Sequence, residues 1–339
     1  MSRPAHHGPG GRYRNPWPEA EADDRVRGRF REIAWEWLTK RLPPNPRPDQ
    51  VPVAPSDLAA PCAQAGELRV TWVGHATHLV QLPGLNLVTD PMWSPRASPV
   101  RWLGAPRFVP ASPALRALPD VHAVLLTHDH YDHLDRPTVA SLHERFGDDL
   151  AWFAPLGYRS WFAALGITNL VELDWWEEHD LPGGGYRVVA APARHWTRRT
   201  PWSTNTRLWC SWAVVPATSS EDGDPRVYLS GDSAYASLFT EIGRRLGPFD
   251  ATVLPIGAYD PRWFMSASHM SPEEAVQAYM DLGGAGAFIP SHWGTFRLTF
   301  EDPLEPPARL RAEWSARGLD ARSLYVPRHG ETVRVVTPC

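Results

Sequence analysis

The stretch His128-Asp129-His130-Tyr131-Asp132-His133 gathers three imidazoles and two carboxylates in six positions, and its flanks decide the fold. Upstream, Val121 to Thr127 is a short apolar run rich in Val and Leu, the composition of a buried strand. Downstream, Pro137 to Phe146 predicts a helix, with Asp135 placed to cap it and Gly147 to stop it. The stretch is therefore a strand-to-helix loop, where a sheet presents side chains at one end. In such a loop His128 and His130 can reach one metal ion while Asp132 and His133 turn toward another. Nitrogen and carboxylate ligands without thiolates suit zinc first and admit iron or manganese. The bland alternative is a solvated, His-rich turn.

Outward from this loop, 339 residues can bury a large core, and a formal net charge of -4 gives no global case for nucleic acid. Cys62, Cys210 and Cys339 are odd in number and far apart, which fits a reducing compartment better than a disulfide framework. No apolar h-region marks Met1 to Pro18 as a signal peptide, and no run approaches 18 apolar residues. The expected location is cytoplasmic, with peripheral contact at the inner face of the membrane left open. Seventeen Trp is high for this length, and most are expected in the core.

Residues 1 to about 24 are polar and rich in Gly and Pro, and read as a mobile tail. Val26 to Leu42 has helical apolar spacing beside six basic residues, so it packs on its own domain or lies on an anionic membrane surface. Pro43 to Pro61 is a Pro-rich connector, leaving 62–339 as the main domain. Strands are expected at Leu68–Val73, Leu79–Leu82, Asn86–Thr89, Ala151–Pro155, Leu170–Leu173, Tyr186–Ala191, Trp209–Val215, Arg226–Leu229, Thr252–Ile256 and Ala287–Pro290. Late strands follow at Leu324–Val326 and Thr332–Val336, and Glu221-Asp222-Gly223-Asp224 is a hairpin turn. Helices are expected near Trp161, from Ala236 to Leu246, after the capping box Ser271-Pro272-Glu273-Glu274, and from Pro307 to Arg317. His128, His195, Asp232 and His292 all follow strands, so one sheet edge could gather them. This alternation, with hairpins mixed in, points to an α/β (α+β) fold with two mixed sheets between helices.

His-x-His-x-Asp-His matches the signature of the metallo-β-lactamase superfamily. Further strings resemble its N-acylphosphatidylethanolamine-hydrolysing phospholipase D branch: Thr71-Trp72-Val73-Gly74-His75-Ala76-Thr77, Thr89-Asp90-Pro91, Leu173-Asp174-Trp175-Trp176-Glu177-Glu178 and Gly231-Asp232. So do Pro255-Ile256-Gly257-Ala258-Tyr259, Pro261-Arg262-Trp263-Phe264-Met265 and His292-Trp293-Gly294-Thr295-Phe296. The resemblance runs from about Arg69 to about Glu331, and Asn15-Pro16-Trp17-Pro18 extends it toward the N-terminus. It implies the αββα sandwich of that superfamily and a pair of zinc ions. One ion would take His128, His130 and His195, the other Asp132, His133 and His292, with Asp232 bridging. His75 and Asp90 would orient ligands. Asp132, Asp232 and His269 would carry the chemistry, with His269 aiding the leaving alkoxide or binding phosphate. The alternative for His269 is a residue before a helix with no chemical role.

The activity implied is phospholipase D-type hydrolysis of an N-acylphosphatidylethanolamine-like lipid to an N-acylethanolamine and phosphatidic acid. Paired ions lower the pKa of a shared water and deliver hydroxide to phosphorus. Ser268 stands where the family pattern has Gln, which bears on headgroup and acyl-amide selectivity. Trp93, Trp102, Trp202, Trp263 and Phe264 are candidates for an acyl-chain entrance or for core and dimer contacts. A metal-dependent lactonase or carboxylic ester hydrolase on the same fold is the alternative. A homodimer stays open, and no nucleic acid partner is expected. His6, His7, His143 and His179 read as solvated; His122 and His329 carry no assignment.

Overall fold

Short Val- and Leu-rich runs alternate with amphipathic helices along the chain, and the structure, a computed structural model, sorts them into two sheets. It describes residues 4–18, 29–58, 62–100, 102–218 and 223–337. Arg25, Val26 and Arg27 of the expected basic helix, Glu221 and Asp222 of the expected turn, and Cys339 lie outside the described residues.

The first half of the chain gives α1 (Phe30–Thr39), β1 (Glu67–Gly74), β2 (Thr77–Leu82), β3 (Leu85–Thr89), a ribbon of β4 (Arg96–Ala97) and β5 (Ala105–Pro106), β6 (Ala123–Leu125), α2 (Arg136–Phe146), β7 (Ala151–Pro155), α3 (Arg159–Ala163) and β8 (Leu170–Leu173). The second half gives β9 (Glu178–Asp180), β10 (Tyr186–Ala191), β11 (Ser211–Pro216), β12 (Val227–Leu229), α4 (Leu238–Leu246), β13 (Ala251–Pro255), α5 (Arg262–Met265), α6 (Pro272–Asp281), β14 (Ala287–Ser291), α7 (Pro306–Ala316) and β15 (Thr332–Val336). One sheet runs β15-β1-β2-β3-β6-β7-β8 and the other β14-β13-β12-β11-β10-β9. Each is mixed. β3-β6-β7-β8 and β12-β13-β14 are parallel, and the remaining pairs are antiparallel.

Three apolar clusters correspond to three interfaces. Val70, Leu87 and Leu125 of one sheet meet Val188, Val214 and Ile289 of the other. Val139 and Leu142 of α2 and Phe162 of α3 cover the outer face at Val88, Val124 and Trp152. Ile242, Val276 and Leu310 of α4, α6 and α7 cover the opposite face at Val189, Leu254 and Phe288. Four layers, helix-sheet-sheet-helix, result, as the sequence led one to expect. The Ser271 capping box forms as read: its side chain accepts from the Glu274 N–H, and the Glu274 carboxylate accepts from the Ser271 N–H.

Several expectations are corrected. Asp135 sits at the N-cap of α2 without capping it; its carboxylate accepts instead from Ser94 N–H and the Thr138 hydroxyl. Leu324–Val326 is no strand, because a turn at Ala321–Ser323 precedes it and Pro327 follows; only an isolated Phe288–Leu324 bridge remains. Residues 4–18 were expected to be mobile but lie against the body, with Tyr13 N–H donating to Asn205 O at 2.8 Å. His6, expected in solvent, is buried. Helix α1 packs on its own domain: the Trp263 indole donates to Glu36, Arg29 lies over the Trp263 ring, and Lys40 pairs with Asp260. It still exposes Trp35 and Leu38. Among the described residues no helix is long and apolar enough to cross a membrane.

Candidate metal centre

Every expected site residue arrives at one end of the two sheets. Asp90 follows β3, His128 lies three residues beyond β6, His195 follows β10, Asp232 follows β12 and His292 follows β14 directly. His75 occupies the β1–β2 turn, and His269 lies just before the Ser271 cap of α6. Carboxyl ends of parallel strands, where chains diverge to cross over, leave such a crevice open.

Buried tryptophans hold these strand ends in place. Trp72 Nε1 donates to His75 O, Trp209 Nε1 to Ala193 O and Trp212 Nε1 to Leu126 O, at 2.8, 2.7 and 3.0 Å. Each acceptor is within two residues of a site imidazole or is that residue. Burying one indole contributes roughly 4–6 kcal/mol of transfer free energy, while its single N–H finds a loop carbonyl. Backbone strain concentrates here as well: His75, Asp90, Ala258 and His292 all have positive φ, at 58°, 34°, 63° and 63°. Gly231 is required before Asp232. At φ 58° a Cβ there would lie 2.6–2.7 Å from three Thr127 side-chain atoms, so only glycine lets the two loops approach.

Two groups of ligand-type atoms result. In the first, His128 Nε2 lies 2.9 Å and His195 Nε2 3.2 Å from His130 Nδ1, and Asp232 Oδ2 is 3.8 Å from both Nε2 atoms. In the second, Asp132 Oδ2 lies 3.5 Å from His133 Nε2, 3.6 Å from His292 Nε2 and 2.7 Å from His75 Nε2. Asp232 stands between them, with Oδ2 3.2 Å from His133 Nε2 and Oδ1 3.1 Å from His292 Nε2. One lone pair on His130 Nδ1 cannot serve two imidazole donors, whereas three nitrogens around one ion need only lone pairs. Tetrahedral zinc with bonds of 2.0–2.1 Å separates its ligand atoms by about 3.4 Å. The Nε2 atoms of His133 and His292 and Oδ1 of Asp232 are buried without a hydrogen bond, close to one another yet not aligned for one. The residues therefore fit a divalent cation in each group.

Electrostatics agree. Burial opposes the charge of Asp232, but His133 and His292 hold its carboxyl well below the usual range. Asp132 is likewise held down, against burial, chiefly by His133. Burial drives His128 and His195 well down, leaving neutral imidazoles with free lone pairs. His133 and His292 move the other way: against burial, Asp232 and Asp132 raise them, His292 to about 9. Positive charge is what these carboxylates call for, and a cation supplies it better than a proton.

The supports are also in place. Asp90 accepts from Thr127 N–H, Thr127 Oγ1 and His133 Nδ1, at 2.7, 2.7 and 2.8 Å. His75 faces the Asp132 carboxylate, as noted, and burial lowers it to about 3. Sequence reasoning missed three others. Ser268 O accepts from His195 Nδ1 at 2.9 Å. Asn15 Nδ2 donates to His195 O at 3.0 Å. Asp129, fully buried, accepts from Arg198 N–H and Arg207 Nη1, both at 2.9 Å, and so ties the His-rich loop to the loop after His195. A charged residue between two ligands was the available signal. His269 lines a cavity of about 160 Å3 over the cluster with Trp196, Asp232, Phe264 and Met265, its Nδ1 3.8 Å from Asp232 Oδ2. A larger cavity of about 660 Å3 lies alongside: Tyr131, between His130 and Asp132, lines it with Leu134, Trp161, Arg136 and Arg199. Of the other histidines, His122 accepts from Asn86 N–H, His329 is buried against Thr295, and His179 is exposed.

The fold and this site define a metallo-hydrolase. The family model described as the β-lactamase superfamily domain matches residues 85–293, and the chain belongs to that superfamily, as a metal-dependent hydrolase. Similarity then points to one branch. N-acyl-phosphatidylethanolamine-hydrolyzing phospholipase D 1 of Caenorhabditis elegans is 39% identical over 259 residues, covering 74% of this chain and 70% of that protein. An uncharacterised protein of Mycobacterium tuberculosis is 42% identical over 320 residues, covering 92% of this chain and 80% of its own length. Among solved structures, the metallo hydrolase Igni18 from Ignicoccus hospitalis superposes with a TM-score of 0.60 at 20% identity, over 80% of this chain and all of that one, which shows the fold.

Proposed function

We propose that the chain is a binuclear zinc phosphodiesterase of phospholipase D type, acting on N-acylphosphatidylethanolamine-like lipids. The observation that carries the reading is the double cluster around Asp232, whose Oδ1, together with Nε2 of His133 and of His292, is buried without a hydrogen bond. His128, His130 and His195 would hold one ion, Asp132, His133 and His292 the other, with Asp232 between. Such a pair, when bound, lowers the pKa of water and neutralises charge on phosphoryl oxygens.

The protein's own groups do the rest. Hydrolysis breaks the phosphorus–oxygen bond on the ethanolamine side; the water oxygen stays on phosphorus and a proton reaches the departing alkoxide. His269 projects an imidazole into the small cavity, where an N–H can bond a phosphoryl oxygen or that alkoxide. Trp196, Phe264 and Met265 wall the same space with apolar surface, which excludes water and suits acyl chains. The small cavity has room for a headgroup, and the larger one beside Tyr131 has room for more of a lipid. Trp202, between cavity-lining Thr200 and Ser203, is 81% exposed, and Trp102 is 78% exposed, so both are placed at the surface as an entrance would require. Trp93 is instead tied to Pro113 O.

The test is to incubate zinc-loaded protein with N-acylphosphatidylethanolamine, other phosphodiesters and lactones, and to identify products by mass spectrometry. N-acylethanolamine and phosphatidic acid should appear, and Asp232→Asn should abolish them while the protein stays folded. Hydrolysis of lactones alone would replace this reading with the carboxylic ester one.

A further inference from the structure

A second set of imidazole and carboxylate donors, sharing no residue with the cluster around Asp232, lies where the N-terminal segment meets the body. His6 Nε2 is 2.6 Å from Asp174 Oδ1, and His7 Nε2 is 2.7 Å from Asp174 Oδ2. The three side chains are 10%, 20% and 16% exposed, so one side of the group remains open to solvent.

The presentation is built rather than incidental. Residues 4–14 form a small hairpin closed by Gly8 N–H to Arg12 O at 2.7 Å and Arg14 N–H to His6 O at 2.9 Å, with a bridge between His7 and Tyr13. The hairpin directs two adjacent imidazoles at one carboxylate, which neighbours in an extended strand would not do, since their side chains point to opposite faces. His6 stacks on Trp175 at 4.2 Å, and Trp175 in turn stacks on Trp17, so an aromatic wall backs the group. His7 stands edge-on to His6, at an interplanar angle of 77°, so the nitrogens approach from different directions.

We infer that His6, His7 and Asp174 form a separate site for a zinc-like divalent cation, with two imidazole nitrogens and one carboxylate as ligands and an outward position left for water. Two nitrogens and an oxygen without thiolate suit zinc, nickel or copper(II) rather than calcium or magnesium. An ion there replaces the two N–H protons and opens the nitrogen–oxygen separations from 2.6 and 2.7 Å to about 3.4 Å, the spacing of ligands on a common tetrahedral ion. Its consequence is structural. The same segment carries Asn15, whose amide donates to the His195 carbonyl, so the cation would pin a strap that touches the other site.

Wild type and His6→Gln/His7→Gln would be loaded with zinc, desalted and assayed for metal by plasma mass spectrometry. The glutamine amides still donate to Asp174, so the variant retains a clamp and loses the ligand nitrogens. Wild type should hold one zinc per chain more than the double variant, and Asp174→Asn should show the same loss. This difference is independent of how many ions the Asp232 cluster holds, and Asp232→Asn should leave it unchanged. Cobalt(II) absorption should show one fewer tetrahedral-type centre in the double variant. Equal metal content in wild type and both variants would overturn the site and leave a hydrogen-bonded clamp only. Should the double variant fail to fold, His7→Gln alone carries the comparison.

Discussion

Replacing Asp90 with Asn tests the claim that the cluster is prepared before any ion arrives. The carboxylate is acceptor-only and receives three donors: Thr127 N–H on Oδ1, and Thr127 Oγ1 and His133 Nδ1 on Oδ2. Asparagine is nearly the same shape, but one oxygen becomes an NH2 group. If its oxygen keeps Thr127 N–H, the NH2 faces His133 Nδ1, which can then only accept. The proton moves to Nε2, the atom 3.2 Å from Asp232 and 3.5 Å from Asp132, and the lone pair meant for a cation is lost. Losing such a support costs about 10–100-fold in metal affinity, or roughly 1.4–2.7 kcal/mol. One buried donor left poorly matched costs about 1–3 kcal/mol of stability. Zinc release to a competing chelator, followed at constant pH, reads the first quantity, and urea unfolding reads the second. Unchanged zinc affinity in a folded Asp90→Asn protein would refute the reasoning, because His133 would then be a competent ligand without its carboxylate.

Two further outcomes are expected. Gly231→Ala forces a side chain into left-handed backbone, about 1–2 kcal/mol, and pushes Thr127 off Asp90; melting temperature and zinc content should both fall, and a wild-type value for either would count against the contact. Burial lowers His78 to about 4 from an ordinary 6.5, so the folded state binds fewer protons than the unfolded one between those values. Stability contributed by the neutral ring is present above pH 6.5 and is lost as pH falls toward 4, by about 2 kcal/mol between pH 7 and 5. His78→Leu should flatten the pH dependence of the unfolding free energy by that amount; an unchanged slope would show that His78 is not held neutral.

The strand-to-helix loop at His128, the alternation that yields two mixed sheets and the ends of strands at Asp232 and His292 were all legible from residue order. Short buried strands announce themselves as Val- and Leu-rich runs, and Ser271-Pro272-Glu273-Glu274 states its own helix start, because those signals are local. Asp135 shows the limit of local signals. It occupies the cap position, yet its carboxylate is drawn to Ser94 and Thr138, a competition that only the folded loop reveals.

What tertiary structure alone decided are contacts across long sequence separations. The N-terminal segment looked like a tail because it is polar and rich in Gly and Pro; it is held because Asp174, 168 residues from His6, offers two carboxylate oxygens. Asp129 drew no assignment from residue order; its partner Arg207 lies 78 residues away and meets it only in the folded chain. Tryptophan counts foretold a large core without showing that Trp72, Trp209 and Trp212 each hold the backbone of a site loop. A sequence specifies which groups can bond metal or accept protons, since that is set by side-chain chemistry. Which of them share a point in space depends on how two sheets stack, and that is a property of the packed chain.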